Sequence, residues 1–217
     1  MSIHKSYAVF GLGKYGASVA TELVANGLEV LAVDSDMNIV NEMSEVIPLC
    51  KCADVTERET LKALGISNFD VVIIAMADSF EATVMATTLC KEAGVENVIV
   101  KCASRMHEKI LLRVGADRVV VPEHESGVRL AKNLASSGFI DAVELSKDVS
   151  MVEMNVKDEW VGKSLIDLNL RKKYSINIIA VKKNDKISLE ISPDTVLDGD
   201  MKIIVVADTE KLSRLGD

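Results

Sequence analysis

The chain lacks a basic surplus. Among 217 residues, 25 lysines and arginines stand against 33 aspartates and glutamates, for a net charge of −8 and a pI near 5.0. A protein that grips nucleic-acid phosphates needs a basic face, and no basic helix-turn-helix precedes or follows the rest, so nucleic acid is not an expected partner. No uncharged apolar run approaches the roughly 20 residues of a spanning helix. The opening MSIHKSYAV passes directly into a strand, so neither signal peptide nor anchor is expected. Cysteine is sparse: Cys50, Cys52, Cys90 and Cys102 form no CxxC pair and have no histidine cluster beside them. Reduced packing thiols in a cytoplasmic protein are expected rather than a metal clamp. The three histidines are His4, His107 and His124, and there is no Ser-Tyr-Lys arrangement and no GxSxG turn. A nicotinamide-dependent oxidoreductase needs a positioned acid–base group, so this reading, or that of an NAD-binding redox sensor, is the alternative to non-catalytic binding.

What is present is a nucleotide-site outline. Residues Tyr7 to Gly16 read YAVFGLGKYG, and Asp34 closes the next apolar strand, LEVLAVD. In such a GxGxxG loop Gly11 permits the tight strand-to-helix turn and Gly13 lets the backbone approach a diphosphate. Gly16 lets the helix lie close on the sheet, with its N-terminal amides facing the anion. An acid about 20 residues on is placed to accept from ribose hydroxyls. Asp34 favours an unmodified 2′-hydroxyl, a condition that NAD, ATP and ADP all satisfy; in an empty fold it would merely cap the next helix.

A hydrophobic content of 48% is ample for a core. Strand signals at Tyr7–Phe10, Val30–Val33, Ile47–Cys50, Val71–Ala75, Val98–Lys101 and Arg118–Val121 alternate with amphipathic helices near Tyr15–Asn26, Met37–Ser44, Glu57–Leu64, Ser79–Ala93 and Arg105–Val114. Apolar strands without alternation predict a parallel sheet covered on both faces. The fold class is therefore α/β, a Rossmann-like doubly wound domain followed by a small α+β domain. Glu123–Ser136 reads as one helix. Beyond it come the alternating strands IDAVELS, MVEMNV, INIIAV, KISLEI and KIIVVA, with one helical signal at Ser164–Tyr174 and turns at Asn184–Asp185 and Asp198–Asp200. The domains are set at 1–135, including a crossover helix, and 136–217.

The chain resembles the RCK (regulator of potassium conductance) family, in particular the cytoplasmic gating subunits of Trk- and Ktr-type potassium uptake systems. The blocks that carry the resemblance are YAVFGLGKYGASVATELVANGLEVLAVDSD, CADVTE, VVIIAMAD, VIVKCASRMHEKILLRVGADRVVVPEHESG and VGKSLIDLNLRKKYSINIIAV, in the family's order and over nearly the whole length. It implies a two-domain, non-catalytic regulator, peripheral at the inner face of the membrane. Its partner would be an integral-membrane potassium transporter subunit (TrkH/KtrB-like). A homodimer closing into a ring, an octamer in such families, is also implied, and the apolar faces of Ser79–Ala93 and Arg105–Val114 offer it area.

By the same analogy Ser35 and Asp36 form the rim of the adenosine pocket, while Asp54 accepts from the adenine amino group and Val55 flanks the ring. Met76, Ala77 and Asp78 follow the fourth strand at the ligand-bearing sheet end, and Lys101 reaches a phosphate as a point charge. His107 is either a solvated helix histidine or a phosphate or subunit contact. Glu123 of the PE pair lies near the terminal phosphate through Mg²⁺ or Ca²⁺, or is simply an acid favoured at a helix start. Relatives that discriminate ATP from ADP often carry arginine where this chain has Lys14, which keeps the charge without the planar fork. ATP or ADP is the first choice of ligand, with NAD or NADH next. Ile166, Arg171, Asn177, Ile178 and Pro193 match places where some relatives hold c-di-AMP at a two-fold interface. Residue type alone reads them as core isoleucines and a solvated helix-end arginine.

Overall fold

A computed structural model describes residues 5–76, 79–135, 139–146 and 148–213. Six strands form the first sheet: β1 Ser6–Phe10, β2 Glu29–Asp34, β3 Leu49–Cys52, β4 Val71–Ile74, β5 Asn97–Lys101 and β6 Arg118–Val120. All are parallel, in the order β3-β2-β1-β4-β5-β6. Between them run α1 Lys14–Ala25, α2 Met37–Met43, α3 Arg58–Ala63, α4 Phe80–Glu92 and α5 Arg105–Val114. Parallel neighbours require such crossovers, and the helices cover both faces. One core cluster packs Ala8, Phe10, Leu31, Val33, Val72 and Ile74 against α4 and α5. Val9, Val30, Ala32, Val71 and Ile73 point the other way, onto α1. Burying each larger side chain stabilises the sheet by about 1.5–3 kcal/mol. The strand order reverses between β1 and β4, so their carboxyl ends open a crevice, the place where doubly wound sheets take ligands.

The third strand differs from expectation. Ile47 is fully buried, but its amide closes the end of α2 on the Met43 carbonyl at 2.8 Å. Pro48 has no N–H to donate to a ladder, so pairing with β2 begins at Leu49 opposite Leu31 and runs on to Cys52 opposite Asp34.

Helix α6, Pro122–Ala135, opens with proline in its first turn, where the missing N–H costs nothing. Contacts divide the chain into two units, residues 1–124 and 125–217, a break inside α6 and ahead of the one expected at 135. The second unit holds β7 Phe139–Glu144, β8 Val149–Asn155, β9 Asn177–Lys183, β10 Lys186–Ser188 and β11 Lys202–Asp208, antiparallel in the order β10-β9-β11-β8-β7. Its helices are α7 Leu165–Leu168, α8 Leu170–Tyr174 and α9 Thr209–Ser213. Strand β11 buries Ile203, Val205 and Ala207 in alternation, against Val152, Met154, Trp160 and Leu197. The helix expected over Ser164–Tyr174 is broken, because Asn169 takes a left-handed conformation (φ 46°) that asparagine tolerates. The strand expected over KISLEI stops at Ser188. The Asn184–Asp185 turn, with φ of 51° and 60°, supplies the twist of a two-residue hairpin.

Candidate functional site

The loop between β1 and α1 uses its three glycines for three different reasons. Gly11 has φ +84°, and a Cβ there would lie 2.9 Å from Met76 Cγ and 3.1 Å from the Ala75 carbonyl carbon. At Gly16 a Cβ would fall 1.9 Å from the Gly11 oxygen, so only glycine lets α1 seat against the loop. Gly13 is different: a Cβ there would meet nothing within 4 Å. The protein itself does not require glycine at 13, and Gly13 lines the cleft that opens beside the loop.

Gly13 caps α1 without a side-chain acceptor, and the first turn carries no acid. The amides of Gly13, Lys14, Tyr15 and Gly16 precede the first intrahelical bond, made by Ala17 to the Gly13 carbonyl at 2.9 Å. Together with the helix dipole they form an anion-binding end. It opens on a cleft of ≈ 610 Å³, lined on the loop side by Gly13, Lys14, Tyr15 and Ser18 and opposite by Ala75, Lys101 and Glu123. The residues present fit a phosphate chain: first-turn amides, a glycine that leaves room, and two lysines.

Lys101 ends β5 with its side chain 14% exposed, and its Nζ lies 2.8 Å from Oε1 of Glu123, which is 68% exposed. The hydrogen bond from Lys101 holds the Glu123 carboxyl below its ordinary value of 4.5. On another side the ammonium sits 5.8 Å from the centroid of the Tyr15 ring. Tyr15, Ser18 and Ala75 were not among the residues expected from sequence. The first two follow from the first helical turns after the loop; Ala75 follows from its position one residue beyond β4.

Asp34 is half-buried at the end of β2, and its carboxylate is already engaged. Oδ2 accepts from the Leu12 amide at 2.6 Å and Oδ1 from the Asp36 amide at 2.9 Å. Each carboxylate oxygen has two acceptor sites, so capacity for ribose hydroxyls remains while the same side chain pins the glycine loop. Ser35 and Asp36 are exposed beside it. The Ser35 carbonyl accepts from the Cys52 thiol at 3.4 Å, and Asp36 caps α2 through the Asn38 amide at 2.8 Å.

Other expected positions do not line this cleft. Asp54 is turned onto its own chain, accepting from Thr56 N at 2.9 Å and Thr56 Oγ1 at 2.6 Å, and the hydroxyl bond holds its carboxyl below the usual range. Val55 is 4% exposed and packs in the core, so its side chain does not stand at the rim of a ring pocket. Met76 packs against the same core, and its carbonyl accepts from Thr83 Oγ1 at 2.8 Å. Ala77 and Asp78 lie outside the described residues. His107 does not line the cleft; its ring stacks on Phe80, centroids 4.0 Å apart and 20° between planes.

In the second unit, Ile166 is 62% exposed and its amide donates to the Pro193 carbonyl at 2.8 Å, which brings those two together. Arg171 is exposed on α8. Asn177 and Ile178 open β9, where Ile178 packs against the core and pairs with Val205. The four cysteines are free. Burial pushes the Cys90 thiol up to about 12, far from reactive. Among the described residues no three His, Cys, Asp or Glu side chains converge on a metal-sized point, and no helix is long and apolar enough to cross a membrane.

Residues 7–122 match the TrkA-N domain and residues 149–217 the TrkA-C domain. The chain is 36% identical over 210 residues to the Ktr system potassium uptake protein C of Bacillus subtilis, covering 97% of this chain and 95% of that protein. It is 35% identical over 211 residues to the Ktr system potassium uptake protein A of the same organism, with the same coverage. In fold it is similar to the GsuK channel (TM-score 0.72, 15% identity, 99% of this chain and 39% of that chain). It is likewise similar to the GsuK channel bound to NAD (TM-score 0.67, 14% identity, 97% of this chain and 38% of that chain). The chain thus spans under half the length of those channel chains.

Proposed function

Because this chain belongs to the RCK family of proteins built from a TrkA-N and a TrkA-C domain, we propose that it is the nucleotide-binding regulatory subunit of a membrane potassium uptake system. The observation that carries the ligand part is the combination at the β1–α1 turn. Gly13 leaves its Cβ space open, the first amides of α1 face that space, and Lys101 stands opposite. Backbone donors and ammonium groups of that kind recognise phosphate, and Asp34 beside them recognises an unmodified ribose.

An adenine nucleotide, ATP or ADP, is the ligand of first choice, and NAD meets the same conditions at Asp34. Glu123 offers one carboxylate to a divalent cation. In an O-ligated Mg²⁺ or Ca²⁺ site the remaining donors would be phosphate oxygens and water. On this reading the chain works as a binding protein within an uptake system, as its Ktr system relatives are named. Ligand energy then goes into shape, through differential affinity for two states of a ring of copies on the inner face of the membrane. Such coupling commonly amounts to about 1–3 kcal/mol. In the second domain, Ile166 and Pro193 are the adjacent pair of a c-di-AMP contact set completed by Arg171, Asn177 and Ile178.

The test is potassium flux through the reconstituted transporter with ATP, ADP and NAD, each with and without Mg²⁺ or Ca²⁺. A triphosphate and a diphosphate should drive different fluxes. Equal flux with both would leave NAD as the regulating ligand, and flux indifferent to all three would remove the proposal.

A further inference from the structure

We propose that Asp34 governs the phosphate end of the site as well as the ribose end, acting through the Leu12 amide. This rests on the nucleotide reading of the same loop. The end of β2 holds two successive loop amides: Gly11 N donates to the Val33 carbonyl at 2.8 Å, and Leu12 N to Asp34 Oδ2 at 2.6 Å. Leu12 is the single residue between the first two glycines, and its buried side chain is sunk in the cluster of Val9, Ala20, Val30 and Ala32. Backbone and side chain are thus fixed together, and the peptide leading into Gly13 inherits that orientation. Gly13, Lys14 and Tyr15 line the cleft, and Asp34 does not. Its hold on a phosphate there is therefore indirect, a positioning role.

Two effects of the carboxylate oppose each other. Its charge repels a phosphate placed beyond the loop, an effect reduced by the Leu12 and Asp36 amides that its two oxygens accept. Its hold on Leu12 works the other way. A buried amide does not stay unpaired, so without Asp34 the peptide between Gly11 and Leu12 turns toward another acceptor and shifts the Gly13 amide with it. The Leu12 side chain is locked in the core and cannot follow. Were Asp34 only a ribose acceptor, it would act on a bare phosphate through its charge alone, and its removal would improve binding. As the anchor of the loop, its removal weakens binding. The two roles differ in sign for a ligand that has no ribose.

The experiment is equilibrium dialysis of labelled inorganic pyrophosphate in EDTA against the full chain, as wild type, Asp34→Ala and Asp34→Asn, with ADP, ATP and NAD run on the wild type. Asp34→Ala should weaken pyrophosphate at least roughly fivefold, the lower end of coupling between sites. Asparagine keeps one side-chain oxygen. The Asp36 amide is exposed and can turn to water while the Leu12 amide is part-buried, so that oxygen goes to Leu12. Asp34→Asn should therefore bind pyrophosphate more tightly than Asp34→Ala. Asp34→Ser, whose hydroxyl stops one bond short, repeats the alanine arm should that variant not fold. Wild type that binds none of ADP, ATP or NAD would defeat the nucleotide reading itself. Wild type that binds ADP but no pyrophosphate would defeat the loop role alone. So would pyrophosphate bound equally or more tightly by Asp34→Ala, or equal losses in the alanine and asparagine variants.

Discussion

Strand β4 reads Val71-Val72-Ile73-Ile74 and buries all four side chains, whereas β11 buries Ile203, Val205 and Ala207 and leaves Ile204 and Val206 half-exposed. The first sheet is enclosed by helices on both faces, so the strand ends are left to meet a ligand, and the glycine loop, Asp34 and Lys101 all stand there. The second sheet has one face in the core. Its other face carries an ion cluster, with Lys182 Nζ at 3.2 Å from Glu153 Oε2 and Lys202 Nζ at 3.5 Å from Glu153 Oε1. The difference separates two arrangements: the first sheet leaves its strand ends open, while the second turns a charged face away from its core.

Truncating strand residues should give the largest effects. Ile73→Ala and Ile74→Ala should each cost about 2–5 kcal/mol, as should Ile203→Ala, because all three are buried. Ile204→Ala should cost no more than about 1.5 kcal/mol in urea unfolding. A cost at Ile204 equal to that at Ile203 would mean that both faces of the second sheet are covered in the assembled protein.

Glycine substitution gives the next effect. Gly16→Ala should lower stability by about 1–3 kcal/mol and abolish phosphate binding, since the new methyl would overlap the Gly11 carbonyl. Gly199→Ala, whose nearest atoms are Val161 methyls at 3.7 and 3.9 Å, should stay within about 0.5 kcal/mol. Thermal melts of the pair, read with ADP titration, check both.

The smallest effect is a pH dependence. The folded value of Glu123 is lowered by Lys101, so the pair contributes stability above the ordinary value of 4.5 and loses it as pH falls through the lowered one. Exposure and screening hold that contribution to about 0.5 kcal/mol or less. The stability difference between wild type and Glu123→Gln should be constant at neutral pH and shrink on acidification; growth on acidification would reverse the sign.

The sequence carried the order of the first domain well, because parallel buried strands and glycine-ended helices leave a strong periodic record. It misplaced β3 because Ile47 is apolar for a reason other than pairing, and Pro48 decides where the ladder starts. It joined α7 to α8 because a left-handed asparagine has no signature in hydrophobic spacing. Of the residues that line the cleft, Gly13, Lys14, Lys101 and Glu123 were expected from motif and resemblance. The double engagement of Asp34, the stacking of His107 on Phe80 and the burial of Val55 depend on how distant segments meet, which no local pattern encodes.

On the proposed reading, an adenine nucleotide is held at the first glycine loop through Asp34. Calorimetric titration of ATP, ADP and NAD into the wild-type chain and Asp34→Ala tests it most directly. At least one nucleotide should bind the wild type saturably. Asp34→Ala should weaken it by about tenfold or more, since each hydrogen bond to the charged acceptor contributes about 1.5–3 kcal/mol. Wild-type affinity retained in Asp34→Ala would mean that Asp34 holds no ribose.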